Sequence, residues 1–406
     1  MQKRFTPDAG GVFPEWEEVT LGDILEINPK TEEKIADEFY YADLASINNG
    51  VFTHGAAINH NEAPGRAQRV VHIDDVLFQS VNAENLGHYH YTKDKELDKQ
   101  FVASTGFFLL RMKNGCNAFL YQLLFTKAFN QEVHKYSAGS IYPAINITEF
   151  KKIKVRIPKS MEEQRKIAAA LAAYDEMIAV KTTKLETWQE CKKRMVKEIF
   201  GRTKRFRDDD GNEFPEWEEK TLGNVSTVKR GKGYTKKDLT DKGTPIILYG
   251  RLYTKYETKI ENVDTFADVQ KNSLVSIGGE VIIPTSGENS EDNARAAIVE
   301  QQGVLIGGDL CVIMPNKDIF DSTFLAYAIT YSKSHKDLVK KANGGIIAHL
   351  RVEDIKNLSV SLPCTEEQQK IGSFLAVIDK EIQIQKEFVK TYAEGKKRMM
   401  RELMEG

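Results

Sequence analysis

Cysteine is scarce in this chain, and neither sign of charge is in excess. Its 406 residues hold four cysteines, Cys116, Cys191, Cys311 and Cys364, with no C-x-x-C pair and no histidine at ligand spacing. They read as reduced, mostly buried thiols, and no metal site is expected. Lys plus Arg number 57 against 59 Asp plus Glu, a formal charge of −2. The chain is therefore no histone-like polycation, and any contact with nucleic acid must come from local patches. Long apolar runs are missing as well. The start, Met1 to Asp8, has no apolar core of a leader, and stretches such as Ile167 to Tyr174 fall far short of the ~20 residues that span a bilayer. The expected location is the cytoplasm, with no membrane partner.

Catalytic signatures are equally sparse. There is no G-x-x-x-x-G-K-[ST], no H-E-x-x-H and no N/D-P-P-aromatic sequence of the kind that orients an amino group for methylation. Pro7-Asp8 with Glu32-Glu33-Lys34 has the outline of a nuclease P-D … E-x-K, but E-x-K arises easily in a charged chain and Pro7-Asp8 lies in a tail. Gly231-Lys232-Gly233 is too short a signal for a phosphate loop. His88 and His90 flank Tyr89 and could share a strand face; an exposed loop or strand pair is a simpler reading than a ligand site.

What the chain does contain, it contains twice. Arg4-Phe5 … Phe13-Pro14-Glu15-Trp16-Glu17-Glu18 returns as Arg205-Phe206 … Phe214-Pro215-Glu216-Trp217-Glu218-Glu219, an offset of 201 (214 − 13). Glu162-Glu163-Gln164-Arg165-Lys166-Ile167 returns as Glu366-Glu367-Gln368-Gln369-Lys370-Ile371, an offset of 204 (368 − 164). A solenoid needs about three or more short repeats, whereas two domain-sized copies make a pseudo-dimer in one polypeptide. Such a chain has two similar sites that can diverge separately.

Between the repeated blocks the copies differ, yet each carries the same order of signals. Val70 to Ile73, Asp75 to Phe78 and Phe107 to Leu110 read as strands in the first copy, and Glu280 to Ile283 and Leu310 to Ile313 in the second. One helix is expected over Phe119 to His134 and another over Phe320 to Lys340. Strand-like closes follow, Ile141 to Ile145 with Phe150 to Pro158, and Ile346 to Leu350 with Ile355 to Pro363. The fold class is mixed α/β: two globular domains, 1–158 and 202–363 (with a linker, 202–213), each followed by a long helical segment, 159–201 and 364–406.

Those segments change period. Ile167, Leu171, Tyr174, Ile178, Lys181, Leu185, Trp188, Lys192, Met195 and Ile199 step by four and three, and Ile371, Leu375, Ile378, Ile382, Gln385, Val389, Tyr392, Lys396, Met399 and Leu403 repeat the pattern. That is a heptad seam, with polar residues at the same two positions in both copies, which weakens pairing but fixes register. About 36 residues of helix reach ~55 Å. Because the short linker delivers the chain to the second domain at the far end of the first helix, a packed second helix must run back. The expectation is an antiparallel pair with pseudo-two-fold symmetry, and an N-terminus lying beside the end of the second helix.

The remaining chemistry is that of a polyanion binder. Lys229, Arg230, Lys232, Tyr234 and Lys236 form a glycine-containing cationic loop, followed by Arg251 and Tyr253. Such a mixture neutralises phosphates and lets backbone approach them. Ser286, Asn289, Asn293 and Arg295 in the second copy, and Gln79, Ser80, Asn82 and Asn85 in the first with Arg66 and Arg69 upstream, are side chains that read base edges. Runs of Gly, Asn and Ser also make turns, so the paired location after the same strand is the stronger signal. Trp16 and Trp217 read as core anchors, and Lys192-Lys193-Arg194 and Lys396-Lys397-Arg398 as solvated helix faces.

Two variable domains, each opened by Leu21-Gly22 or Leu222-Gly223, closed at Pro158 or Pro363 and followed by an E-E-Q-x-K-I helix, resemble the specificity subunit of type I restriction-modification systems. The likeness covers essentially the whole chain. It implies that each domain reads one half of a split, asymmetric double-stranded DNA target. It implies that the helices set the spacer and dock two adenine-N6 methyltransferase subunits, to which translocating endonuclease subunits can add. No catalytic residue and no cofactor would belong to this chain; S-adenosylmethionine, ATP and magnesium would belong to partners. An orphan subunit redirecting a methyltransferase encoded elsewhere is the nearest alternative. An enzyme, either a self-contained nuclease or a fused methyltransferase fragment, and a protein-binding scaffold are the more distant ones.

Overall fold

A computed structural model describes residues 4–48, 50–139, 143–287, 289–342 and 348–405. The chain separates into two compact units, Met1–Val180 with Phe388–Gly406, and Lys181–Glu387. The division falls inside both long helices, Met161–Phe200 and Thr365–Met400. Each unit is thus one globular domain together with part of each helix.

In the first unit an antiparallel sheet orders strands Leu25–Ile27, Phe107–Met112, Val76–Gln79 and Tyr89–His90. Its central strands run apolar over Phe107–Leu110 and Val76–Phe78 because both faces are covered there, and the period of two sorts them. Val76, Phe78, Phe108 and Leu110 enter a core shared with the helices, while Leu77, Phe107 and Leu109 enter a second core. A further sheet, Ile58–Asn59, Glu38–Ala42, Gln100–Ser104 and Ala67–Val71, contributes Val71, Phe101 and Ala103 to that second core. The second unit repeats the arrangement with five-stranded sheets. Val281, Ile283, Cys311 and Ile313 face the helical core, and Ile282, Leu310 and Val312 face the other.

Two expectations need correction. The helix expected over Phe119 to His134 is two, Asn117–Leu123 and Lys127–Tyr136, because Thr126 starts the second by accepting the Phe129 N–H at 3.3 Å. Likewise Ser332 caps a new helix, so Phe320 to Lys340 divides into Ser322–Tyr331 and Lys333–Lys341. The closing strands are shorter than expected. Helical turns Ile147–Lys152, capped by Asn146, and Val352–Lys356, where Asp354 accepts the Arg351 N–H at 3.1 Å, precede strands Lys154–Ile157 and Ser359–Leu362. Ile141, Tyr142, Ile346 and Ile347 lie outside the described residues.

Each unit pairs the two long helices antiparallel. In the first, Ile167 and Leu171 share a core with Met400 and Leu403, Tyr174 meets Tyr392 edge-on at 6.5 Å, and Asp175 binds Lys396. In the second, Met195 and Ile199 share a core with Ile371, Leu375, Ile378 and Ile382, against which Leu185 and Trp188 pack, while Lys192 binds Asp379. Ile178 and Val389 are half-buried, as a seam requires. Phe5 packs on the same core as Met399, Leu403 and Met404, so the start of the chain lies beside the end of the second helix, as expected.

The repeated sequence blocks meet each other. Arg4 donates to both carboxylate oxygens of fully buried Glu163 at 2.9 Å, and Trp16 Nε1 donates to the same group at 3.4 Å. Arg205, Trp217 and Glu367 repeat the clamp at 2.8–3.3 Å. Gln164 ties Pro158 O to the Cys116 N–H, and Gln368 ties Pro363 O and Ile319 O to the Asp321 N–H. The Phe-Pro-Glu-Trp block and the helix start recur together because they are two halves of one contact.

Candidate nucleic-acid interface

The sheet end that carries the candidate loops is set by register. In the second unit Arg230 pairs with Cys311, and Pro284 with Leu310, so the ends of strands Ser226–Arg230 and Glu280–Pro284 and the start of Leu310–Pro315 coincide. The cationic loop leaves from there. The Gly231 N–H donates to Leu310 O at 2.7 Å, and any side chain at Gly231 would collide with Gly307 O. Gly233 has a φ of +66°, left-handed backbone that glycine adopts readily.

Within this loop the candidates divide. Tyr234 is buried, its hydroxyl bonded to Asp268 O at 3.0 Å and to Ser273 Oγ at 2.5 Å, so it pins the loop instead of offering a ring to a base. Lys229, Lys232 and Lys236 are exposed, and Arg230 is exposed while paired with Asp309 at 3.0 Å. Arg251 turns to Asp264 and lies over the Tyr256 ring, and Tyr253 stands 6.4 Å from Tyr249.

The Ser286 to Arg295 segment is more inward-facing than its composition suggests. Ser286–Gly287 pairs with Ala348–His349, and Ser286 Oγ lies 3.1 Å from His349 Nδ1. Asn289 is exposed and caps the turn Ser290–Asn293 by accepting the Asp292 N–H. Asn293 is fully buried, so close to Gly287 that an added Cβ there would lie 2.7 Å from its Oδ1. Arg295 donates to Tyr256 O at 2.8 Å and faces Glu257. Exposed His349, beside Ser286, was not singled out from sequence; no spacing signal marks it, since strand pairing alone brings it there.

In the first unit the equivalent end lies at Gln79, opposite Phe107. Gln79 is buried, and its amide donates to Val81 O at 2.7 Å and Asn82 O at 3.2 Å. Ser80 Oγ donates to Gly106 O at 2.8 Å. These two side chains hold the loop, and Asn82 and Leu86 bend it with left-handed φ values of 50° and 52°. The exposed tip is Glu84 and Asn85. Thr105 N–H donates to Arg66 O, so the turn that receives Ser80 also carries exposed Arg66. Arg69 is half-buried on strand Ala67–Val71; burial lowers its pKa, and its Nε has no hydrogen-bond partner among the described residues. His88 is fully buried against Phe78, ring centroids 4.7 Å apart, and burial pushes its pKa down to about 3. It is a neutral core residue, not an exposed one.

The cationic loop has no first-unit counterpart, and the reason is local. Strand Leu25–Ile27 stops where Asn28 turns left-handed, φ 51°, and takes the Leu109 N–H on its Oδ1 at 2.9 Å. Its counterpart runs on to Arg230. Beyond Asn28 the chain crosses to His72, which Glu33 meets at 2.8 Å, and Lys30 and Thr31 line an open concavity of about 500 Å³ with His72, Asp75 and Arg111.

Among the described residues no His, Cys, Asp and Glu group is placed to hold a metal ion, and no helix is long and apolar enough to cross a membrane.

Known proteins share this plan. Over 411 residues the chain is 23% identical to the type I restriction enzyme MjaVIII specificity subunit of Methanocaldococcus jannaschii, covering 97% of this chain and 92% of the relative. The MjaIX specificity subunit of the same organism is 25% identical over 290 residues, 68% of this chain and 65% of the relative. In fold, the chain is similar to the crystal structure of a type I restriction-modification S subunit from M. genitalium, with a TM-score of 0.65, 96% of each chain covered and 14% identity. The model of the type I restriction modification DNA specificity domain matches residues 14–187 and again 215–390. With both repeats matched over most of their length, this chain belongs to the type I restriction-modification DNA specificity family and carries its domain twice.

Proposed function

We propose that this chain is the specificity subunit of a type I restriction-modification complex, each globular domain reading one half of a bipartite DNA target. One observation carries the reading. The same sheet end is built twice on the same helix clamp, yet the loops on it differ in length, charge and composition. Divergent readers on a common frame suit an asymmetric target, and half-sites about 34 Å apart, one helical turn, present themselves on one side of the duplex.

Phosphate contacts fall to Lys229, Arg230, Lys232 and Lys236 in the second half and to Arg66 in the first; Asn289 and Asn85, at exposed loop tips, are the candidates for base edges. Gln79, Ser80, Ser286, Asn293 and Arg295 act by shaping those loops. Two methyltransferase subunits dock on the helices and bring S-adenosylmethionine; endonuclease subunits bring ATP and magnesium.

The test is co-expression of the chain with a type I methyltransferase subunit in cells free of other adenine methylation, followed by mapping of methyladenine. A single split motif with one modified adenine in each half is the expected result. Exchanging residues 1–157 for another such domain should then change one half alone. An assembled complex that adds no methylation would overturn the reading.

A further inference from the structure

Two ion pairs, one buried and one half-buried, occupy equivalent places in the two units. In the second, Lys192 Nζ lies 2.6 Å from Asp379, the two side chains 12% and 11% exposed. The Tyr327 hydroxyl donates to the other oxygen of that carboxylate at 2.7 Å, and the Tyr331 ring lies 4.9 Å beneath the ammonium. In the first unit Lys396 Nζ lies 2.6 and 2.7 Å from the two oxygens of Asp175, Gln122 donates to the same group at 2.9 Å, and the Phe125 ring lies 5.4 Å from the ammonium. The correspondence holds residue by residue: 396 − 192 and 379 − 175 are both 204, and 327 − 122 is 205.

Each knot joins three elements. The lysine comes from the end of one long helix, the aspartate from the start of the other, and the third group, Tyr327 or Gln122, from a helix of the globular domain. Apolar seams tolerate slippage by whole turns, and a buried ion pair is a poor source of net stability because desolvation offsets its attraction. Its best-attested use is to fix register. Here the pair also engages the domain.

We propose that Lys192, Asp379 and Tyr327, and in parallel Lys396, Asp175 and Gln122, are positioning residues that set how each recognition domain is carried on its helix pair, and so how strictly the spacer between half-sites is measured. This rests on the two-half-site reading above. The two knots are not equal: Asp175 is 40% exposed against 11% for Asp379, so the second-unit knot holds more firmly.

The assembled methyltransferase complex, with the full chain, is given duplexes in which the mapped half-sites are separated by the native spacer or by one and two base pairs more or fewer. The native chain should methylate one spacer strongly. Lys192→Met with Asp379→Asn removes both charges while keeping the volume, and preference for the native spacer should fall about tenfold with the half-site sequences unchanged. Lys396→Met with Asp175→Asn should do the same more weakly, and Lys192→Arg, which keeps the charge, should stay near native. A folded, assembled double variant with the native spacer profile overturns the proposal, as does a change in half-site preference. If only one double variant assembles, its profile decides; if neither does, the pairs merely hold the fold and the proposal fails. Loss of the underlying reading would show separately, as a native complex with no bipartite target.

Discussion

Single residues in this chain have consequences set by burial. His88 is enclosed between Phe78 and Phe125, with Nδ1 accepting the Gln79 N–H at 3.2 Å, and its pKa falls to about 3. In the unfolded chain it titrates near 6.5. Between those values the unfolded state binds the extra proton, so stability declines as pH falls from about 6.5 to about 3, by roughly 2 kcal/mol between pH 7 and pH 5. His88→Asn keeps an acceptor for the Gln79 N–H and cannot titrate; its unfolding free energy, followed by denaturant melts, should depend less on pH over that range. Glu163 poses the opposite case, a buried charge that is fully paired. Glu163→Ala leaves the Trp16 N–H unpaired and leaves the Arg4 guanidinium with only Pro14 O and exposed Glu15, and should cost about 3 kcal/mol, with Glu163→Gln losing less. Glu367→Ala should match it, since Arg205 and Trp217 repeat the geometry.

At the scale of elements, a two-residue difference in one strand separates the two candidate reading surfaces. Ser226–Arg230 continues to the sheet end and launches a cationic loop, whereas Leu25–Ile27 stops at Asn28. The loop is seated by backbone contact, because Gly231 and Gly308 leave no room for a side chain against Gly307 and Gly233. Gly231→Ala must displace one of those chains. A loss of about 1–3 kcal/mol is expected by overpacking. DNA binding by the assembled complex should weaken with it and depend less steeply on salt, as exposed Lys232 and Lys236 lose their placement. An unchanged melting curve would show that the loop seats differently. The seam was legible from its heptad spacing; the loop seat was not, because glycine spacing carries no sign of which backbone it approaches.

For the whole molecule, the two repeats make the order of the chain arbitrary. The first unit gathers Phe5, Met399, Leu403 and Met404 in one core, and the second gathers Phe206 with Met195 and Ile199. The residues between Phe200 and Arg205 are exposed. Joining residue 406 to residue 1 and opening the chain after Lys204 would place five residues between Met404 and Arg4, where the existing linker places four between Phe200 and Arg205. The permuted chain should melt within a few degrees of the parent and support methylation of the same bipartite motif, measured by methyladenine mapping. A permuted chain that assembles but modifies a different motif would show that connectivity contributes to reading.

Duplication, domain order, the helix seam and the family were all determined by the sequence alone, because they are written in spacing, and spacing survives without a structure. The strands Val76–Gln79 and Glu280–Pro284 were legible from the apolar runs Val76 to Phe78 and Val281 to Ile283, which a sheet covered on both faces requires. Which candidate side chains face outward was decided only by the tertiary structure. Tyr234, Gln79, Asn293 and Arg295 belong to residue types that suit DNA, yet Tyr234 and Arg295 bond backbone carbonyls more than thirty residues away, Gln79 bonds the carbonyls of its own loop, and Asn293 is fully buried. Local composition cannot tell a polar side chain that reads a base from one that holds the loop doing so, since both make the same hydrogen bonds and differ only in where the fold supplies the partner.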